Sequence, residues 1–224
     1  MARFSRVQVW STMEELGLVP LFYHPDVGTA IRIVEALAAG GARVIEFTNR
    51  GDRAFEVFRE LIVHVEKSTP EVILGAGSVL DVPTAGLYIN LGANFIVGSV
   101  TNPEVAKLCN RRKVVYCPGC GTASEVSYAE ELGVEIVKVF PGSQLGGPGF
   151  VKAILAPCPW AKIMPTGGVD ASYENLKAWF DAGVTCVGMG SKLVRKDLVA
   201  AQDWEGLTKL TTQCLEWIRQ ARGK

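Results

Sequence analysis

The chain has 224 residues, with 23 basic side chains against 23 acidic ones. That balance argues against a nucleic-acid-binding protein, which normally shows a basic excess or stripe. Hydrophobic residues make up 48% and charged residues 21%, the composition of a globular domain with a large core and not of a disordered chain. No apolar run approaches the ~18 residues of a membrane span, and residues 1–16 lack the apolar block of a secretory leader, so a cytoplasmic protein without membrane contact is expected.

A short helical stretch at 8–16 opens the chain. Strand-like runs rich in Val and Ile follow at 18–23 (LVPLFY), 43–48 (RVIEFT), 72–76 (VILGA) and 94–98 (NFIVG). Further runs lie at 114–117 (VVYC), 135–140 (EIVKVF), 161–166 (AKIMPT) and 185–190 (TCVGMG). Their starts are about 24 residues apart on average, the length of one strand–helix unit. The spacing predicts helices between them at 27–39, 52–67, 102–110, 122–132, 148–156 and 171–182, and a last one at 203–221. Several units end in a glycine that stops the helix before the next strand, as in AAGGA, NLGAN, ELGVE and DAGVT.

Continuous apolar strands alternating with amphipathic helices specify an α/β fold with a parallel sheet. Eight evenly spaced units close into a (β/α)8 barrel, with 8–16 as an extra N-terminal helix across its floor. An open doubly wound sheet is the alternative. No Ser/Pro-rich linker divides the series, so a single domain over 1–224 is expected. In a barrel the chemistry lies at the C-terminal ends of the strands.

Two charged side chains interrupt strands. In EIVKVF, alternation sets Ile136, Lys138 and Phe140 on one face and Val137 and Val139 on the other. The valines suit the helix layer, so Lys138 points inward. An amine that loses its hydration is more often neutral, the state that attacks a carbonyl to form an imine. A lysine reaching the mouth to meet water or a structural carboxylate is the competing reading. In RVIEFTNR, Glu46 shares the inward face with Val44 and Thr48, and an inward carboxylate opposite an inward amine makes a general base and nucleophile. A buried ion pair is the alternative and contributes little net stability. Arg50 follows the strand end, where its fork suits a carboxylate.

Glycine-rich turns mark the same ends: GAGSVL (75–80), PTGGV (165–169) and GMGS (188–191). Backbone N–H groups after the last two barrel strands commonly hold phosphate, which makes Gly167, Gly168, Gly190 and Ser191 phosphate candidates. The six cysteines are spread thinly and read as reduced thiols. Cys117 and Cys120 form CPGC, but no second pair completes a zinc site, so strand-end packing is expected of them. His24 and His64 read as surface or packing residues.

VIEFTNR, GAGSVL, CPG, VKVFPG, PTGG and GMGS, in this order at strand ends, resemble the 2-keto-3-deoxy-6-phosphogluconate / 4-hydroxy-2-oxoglutarate aldolase family over about residues 10–200. The resemblance implies a (β/α)8 barrel, a homotrimer, no metal and no cofactor, and a 2-keto acid substrate and pyruvate as small-molecule partners. It implies that Lys138 forms the Schiff base, Glu46 transfers protons, and Arg50 and Ser78 hold the substrate carboxylate. Pro118, Gly119, Phe140 and Thr166 would form the pocket wall, with Gly167, Gly168, Gly190 and Ser191 on the phosphate. The chain departs from the family at Ser78, where threonine is common, at Gly142, where alanine is more usual, and at Gly51–Asp52. A phosphate-binding barrel without imine chemistry, such as a thiamine-phosphate synthase-like enzyme, and a non-catalytic barrel are the rival readings.

Overall fold

The computed structural model of the chain describes residues 2–223. It opens with α1 (Arg6–Leu16), β1 (Leu18–Phe22), α2 (Val27–Ala39), β2 (Val44–Thr48) and α3 (Ala54–Ser68). Next come β3 (Ile73–Gly77), α4 (Val82–Asn90), β4 (Phe95–Val97), α5 (Pro103–Arg112), β5 (Val115–Cys117) and β6 (Gly119–Cys120). The remainder is α6 (Ala123–Glu131), β7 (Val137–Val139), α7 (Pro148–Leu155), β8 (Ile163–Pro165), α8 (Tyr173–Asp181), β9 (Val187–Met189), α9 (Lys196–Ala200) and α10 (Trp204–Ala221).

All strand pairs are parallel. One six-stranded sheet, in the order β5-β4-β3-β2-β1-β9, curls into a half-barrel, and a three-stranded sheet follows in the order β6-β7-β8. Pro118 has no N–H to give a ladder and stands where the chain passes from β5, paired with β4, to β6, paired with β7. On the far side the sheets meet through a bridge, Thr166 to Gly188, and through the Thr185 N–H, which donates to the Ile163 carbonyl at 2.9 Å.

Helix ends follow local chemistry. Asp26, Asp81, Asn102, Thr122, Ser172 and Asp203 accept backbone N–H groups at the starts of α2, α4, α5, α6, α8 and α10, which removes donors that would otherwise be orphaned. The stop glycines Gly41, Gly92, Gly133 and Gly183 take positive φ of 97°, 108°, 78° and 96°, a region open to them for lack of a Cβ.

Alternation divides the core into two apolar clusters. Ile45, Phe47, Val137 and Val139 face the helices. Val44, Ile73, Phe95, Val115, Ile136 and Met164 face the interior of the curl, where Val9 and Met13 of α1 join them. Burying a side chain of this size is worth about 1.5–3 kcal/mol, so α1 is an integral part of the core. Its far end is tied to the last turn by Arg222, whose Nη1 donates to the carbonyls of Glu14 and Glu15 at 2.9 and 3.0 Å.

The differences from the expected elements have local causes. The helix expected from 52 begins at Ala54, because Arg53 takes a left-handed φ of 60° and ends the preceding turn. Helices α4 and α9 were not expected: VPTAGLYIN carries Pro83 and Gly86, and α9 is only five residues long, too short to show periodicity.

Candidate functional site

Glu46 lies in the middle of β2, in register with Leu21 and Gly75, and only 1% of it is exposed. Lys138 is the central residue of β7, flanked in register by Gly119 and Met164, and is 5% exposed. Both point inward, as alternation requires. Gly77 makes room for the carboxylate, since a Cβ there would overlap Oε1 of Glu46.

Burial pushes the Glu46 carboxyl above the ordinary carboxylate range. The charges of Lys138 and Arg50 pull in the opposite direction, and burial outweighs them. Oε2 of Glu46 is buried with no hydrogen-bond partner among the described residues, as is the Oγ1 of Thr166, a residue 6% exposed. An unpaired buried acceptor costs about 1–3 kcal/mol; the Oγ1 of Thr69, in the turn after α3 and away from this site, is a third such atom.

A cavity of about 720 Å³ opens at the C-terminal ends of β1, β2, β8 and β9. Arg50, Phe140, Thr166, Gly167, Gly168, Gly190 and Ser191 all line it. Lys138 and Glu46 are not in its lining. They connect to it through two neighbours: the Lys138 Nζ sits 5.1 Å from the centre of the Phe140 ring, and the Arg50 charge acts on Glu46. Ser78, Pro118 and Gly119 lie outside the lining. Ser78 is half-buried with φ of 58° directly after Gly77. Pro118 is buried and its carbonyl accepts from the Lys138 N–H at 2.9 Å, while Gly119 pairs beside Lys138.

The turn after β8 presents unpaired backbone donors. Gly167 and Gly168 have φ of 90° and 77°, and the N–H groups of Gly168, Ser191 and Lys192 donate to no acceptor among the described residues. Lys192 pairs with Asp170 at 3.2 Å, and both line the cavity.

Sequence reasoning passed over several lining residues, chiefly Tyr23, His24 and Lys196. His24 is half-buried, with Nδ1 accepting from the Asp26 N–H at 3.1 Å. The HPD turn at 24–26 was the available signal. Cys117 packs in the interior cluster and Cys120 in the helix-facing one; all six cysteines are free. Among the described residues no helix is long and apolar enough to cross a membrane.

Comparison with known proteins adds three findings. A family model described as aldolase, "KDPG and KHG aldolase", matches residues 9–210. The KHG/KDPG aldolase of Escherichia coli K12 is 32% identical over 213 residues, covering 92% of this chain and 97% of that one. Two solved structures are similar at 26% identity. One is the KDPG aldolase of Legionella pneumophila with pyruvate captured at low pH as a covalent carbinolamine intermediate, with a TM-score of 0.81 over 90% of this chain and 95% of that one. The other is the 2-keto-3-deoxy-6-phosphogluconate aldolase of Zymomonas mobilis with 3-phosphoglycerate, with a TM-score of 0.80 over 95% and 97%.

Proposed function

The chain belongs to the KDPG and KHG aldolase family, and on that premise we propose that it cleaves 2-keto-3-deoxy-6-phosphogluconate to pyruvate and glyceraldehyde 3-phosphate through an imine on Lys138. The observation that carries this reading is the burial of Lys138 and Glu46 on strands of the two sheets, with the Lys138 charge acting on Glu46, beside a cavity lined by Arg50 and the glycine turns.

Lys138 attacks the ketone carbon of the substrate, and loss of water leaves a protonated imine. That cation draws in the electron pair of the bond between carbons 3 and 4 once the carbon-4 hydroxyl gives up its proton. Glu46 takes this proton. Its raised pKa keeps it closer to the working pH than an exposed carboxylate, which suits a group that accepts and returns protons in one cycle. The aldehyde leaves, the remaining enamine is protonated at carbon 3, and water releases pyruvate and free lysine.

Arg50, with Ser78, holds the carboxylate of the keto acid. Phe140 and Thr166 wall the channel from Lys138 to the open cavity, and Pro118 and Gly119 hold the strand beside the lysine. The N–H groups at Gly167, Gly168, Gly190 and Ser191 take the phosphate, each charge-assisted hydrogen bond contributing about 1.5–3 kcal/mol. The binding of 3-phosphoglycerate by the Zymomonas mobilis relative supports an anion site of this kind. 4-Hydroxy-2-oxoglutarate, the substrate without a phosphate, is the second reading, supported by the family description and by the name of the Escherichia coli relative.

The architecture proposed is a single (β/α)8 barrel over 1–224, of which Met1 and Lys224 lie outside the described residues. The two sheets are then its two arcs, joined at Pro118 and at Thr166–Gly188, with α1 as the extra helix across the floor. A cytoplasmic homotrimer without metal or cofactor completes the proposal. Borohydride reduction in the presence of pyruvate, followed by peptide mapping, tests the mechanism: the label is expected on Lys138. A label on Lys152 or Lys162, with Lys138 untouched, refutes it.

A further inference from the structure

Tyr23 follows the last residue of β1, and its side chain stops at an unusual place. The ring lies against Phe47, with centroids 5.8 Å apart and planes at 54°, and the hydroxyl reaches over Gly51. A Cβ on residue 51 would overlap that hydroxyl, so only glycine leaves space for it. Tyr23 and Arg50, the residue next to Gly51, line the same cavity.

The surroundings fix this corner from behind. The Tyr88 hydroxyl is buried and donates to Oδ1 of Asn49 at 2.9 Å, which anchors the turn that carries Arg50. Burial, with a smaller contribution from Tyr23, pushes the Tyr88 hydroxyl up to about 12, so it stays a neutral donor there. The Tyr23 hydroxyl has no hydrogen-bond partner among the described residues. Tyr23 is half-buried and held by a ring stack; it lines the cavity that Arg50 lines and also a second one with Asp52, Arg53 and Glu56.

We propose that Tyr23 is a further substrate-contacting residue, whose hydroxyl donates to the carboxylate of the keto acid alongside Arg50, and that Gly51 is present to admit it. This rests on the assignment of Arg50 to the carboxylate made above. A phenol and a guanidinium together offer the carboxylate donors from two directions, and a hydroxyl placed in advance by packing loses little rotational freedom on binding.

The test compares wild type, Tyr23→Phe, Gly51→Ala and the double variant in pyruvate-dependent borohydride trapping and in steady-state cleavage of the keto acid. Tyr23→Phe keeps the ring stack and removes only the donor. Its half-saturating pyruvate concentration and its KM are expected to rise roughly 10-fold or more, with kcat within about twofold, the pattern of a lost contact made equally in ground and transition states. Gly51→Ala is expected to reproduce the KM effect by displacing the hydroxyl, and the two changes together to cost less than their product. A Tyr23→Phe enzyme with unchanged KM, or with a loss confined to kcat, overturns the proposal while wild type still traps pyruvate on Lys138. Failure of wild type to trap pyruvate instead refutes the aldolase reading, and the role of Tyr23 falls with it.

Discussion

Glu46→Gln separates what the carboxylate does for the reaction from what it costs the fold. The raised pKa means that the folded protein holds the Glu46 proton to higher pH than the unfolded chain does. The stability linked to that proton is complete below the ordinary glutamate value and is lost as pH rises through the folded pKa. Wild type therefore loses stability between pH 5 and pH 8 from this residue, and glutamine, an uncharged isostere, does not. The size of the loss follows the gap between the folded and unfolded pKa values, about 1.4 kcal/mol for each unit. For a domain of this length each kcal/mol moves Tm by about 2–4 °C. Urea unfolding at pH 5 and pH 8, with m-values compared, reads it directly. The variant is expected to gain stability on wild type as pH rises from 5 to 8, while kcat falls by about 10²–10⁴. A stability gap that does not change with pH refutes the reasoning.

Two further outcomes follow from the same geometry. Gly168→Val places a Cβ against Ser143 at a φ of 77°, so kcat/KM for the phosphorylated acid is expected to fall about 10- to 100-fold further than for 4-hydroxy-2-oxoglutarate; equal losses for both substrates argue that these turns hold no phosphate. Burial pushes the Cys117 thiol well up and the Cys120 thiol to about 11, which keeps both protonated and unreactive near pH 7.5. Native protein treated with iodoacetamide is expected to take up one equivalent at half-buried Cys158, and mass spectrometry finding a label on Cys117 or Cys120 contradicts this.

The inward placement of Glu46 and Lys138 was legible because a strand has a period of two, and a charge between two apolar neighbours can face only one way once those neighbours are assigned to the helices. The glycines at 167 and 168 were legible for the same kind of local reason, being adjacent in a turn that follows a strand. The proline at 118 was visible as a residue, but its splitting of a strand between two partners depends on which neighbours the chain finds on each side. Likewise the meeting of Tyr23 with Gly51 joins the ends of β1 and β2, a contact that neither segment encodes alone. Lys192 sits in a turn whose sequence leaves its direction open, and the acid that holds it, Asp170, comes from the preceding unit.

The two joins between the sheets have a mechanical meaning. A continuous parallel ladder shares its hydrogen bonds along many residues and resists local opening, whereas Pro118 contributes no amide and the opposite join has one bridge at Thr166 and one backbone hydrogen bond from Thr185 to Ile163. The two joins are therefore thin hinges in the ladder, and slow amide exchange belongs in β2 and β3, not at these joins. One hinge carbonyl, that of Pro118, holds the backbone of Lys138, and the other hinge residue, Thr166, lines the cavity. The interior cluster, which takes Val44 and Ile73 from one sheet and Ile136 and Met164 from the other side, ties the two together beneath the lysine.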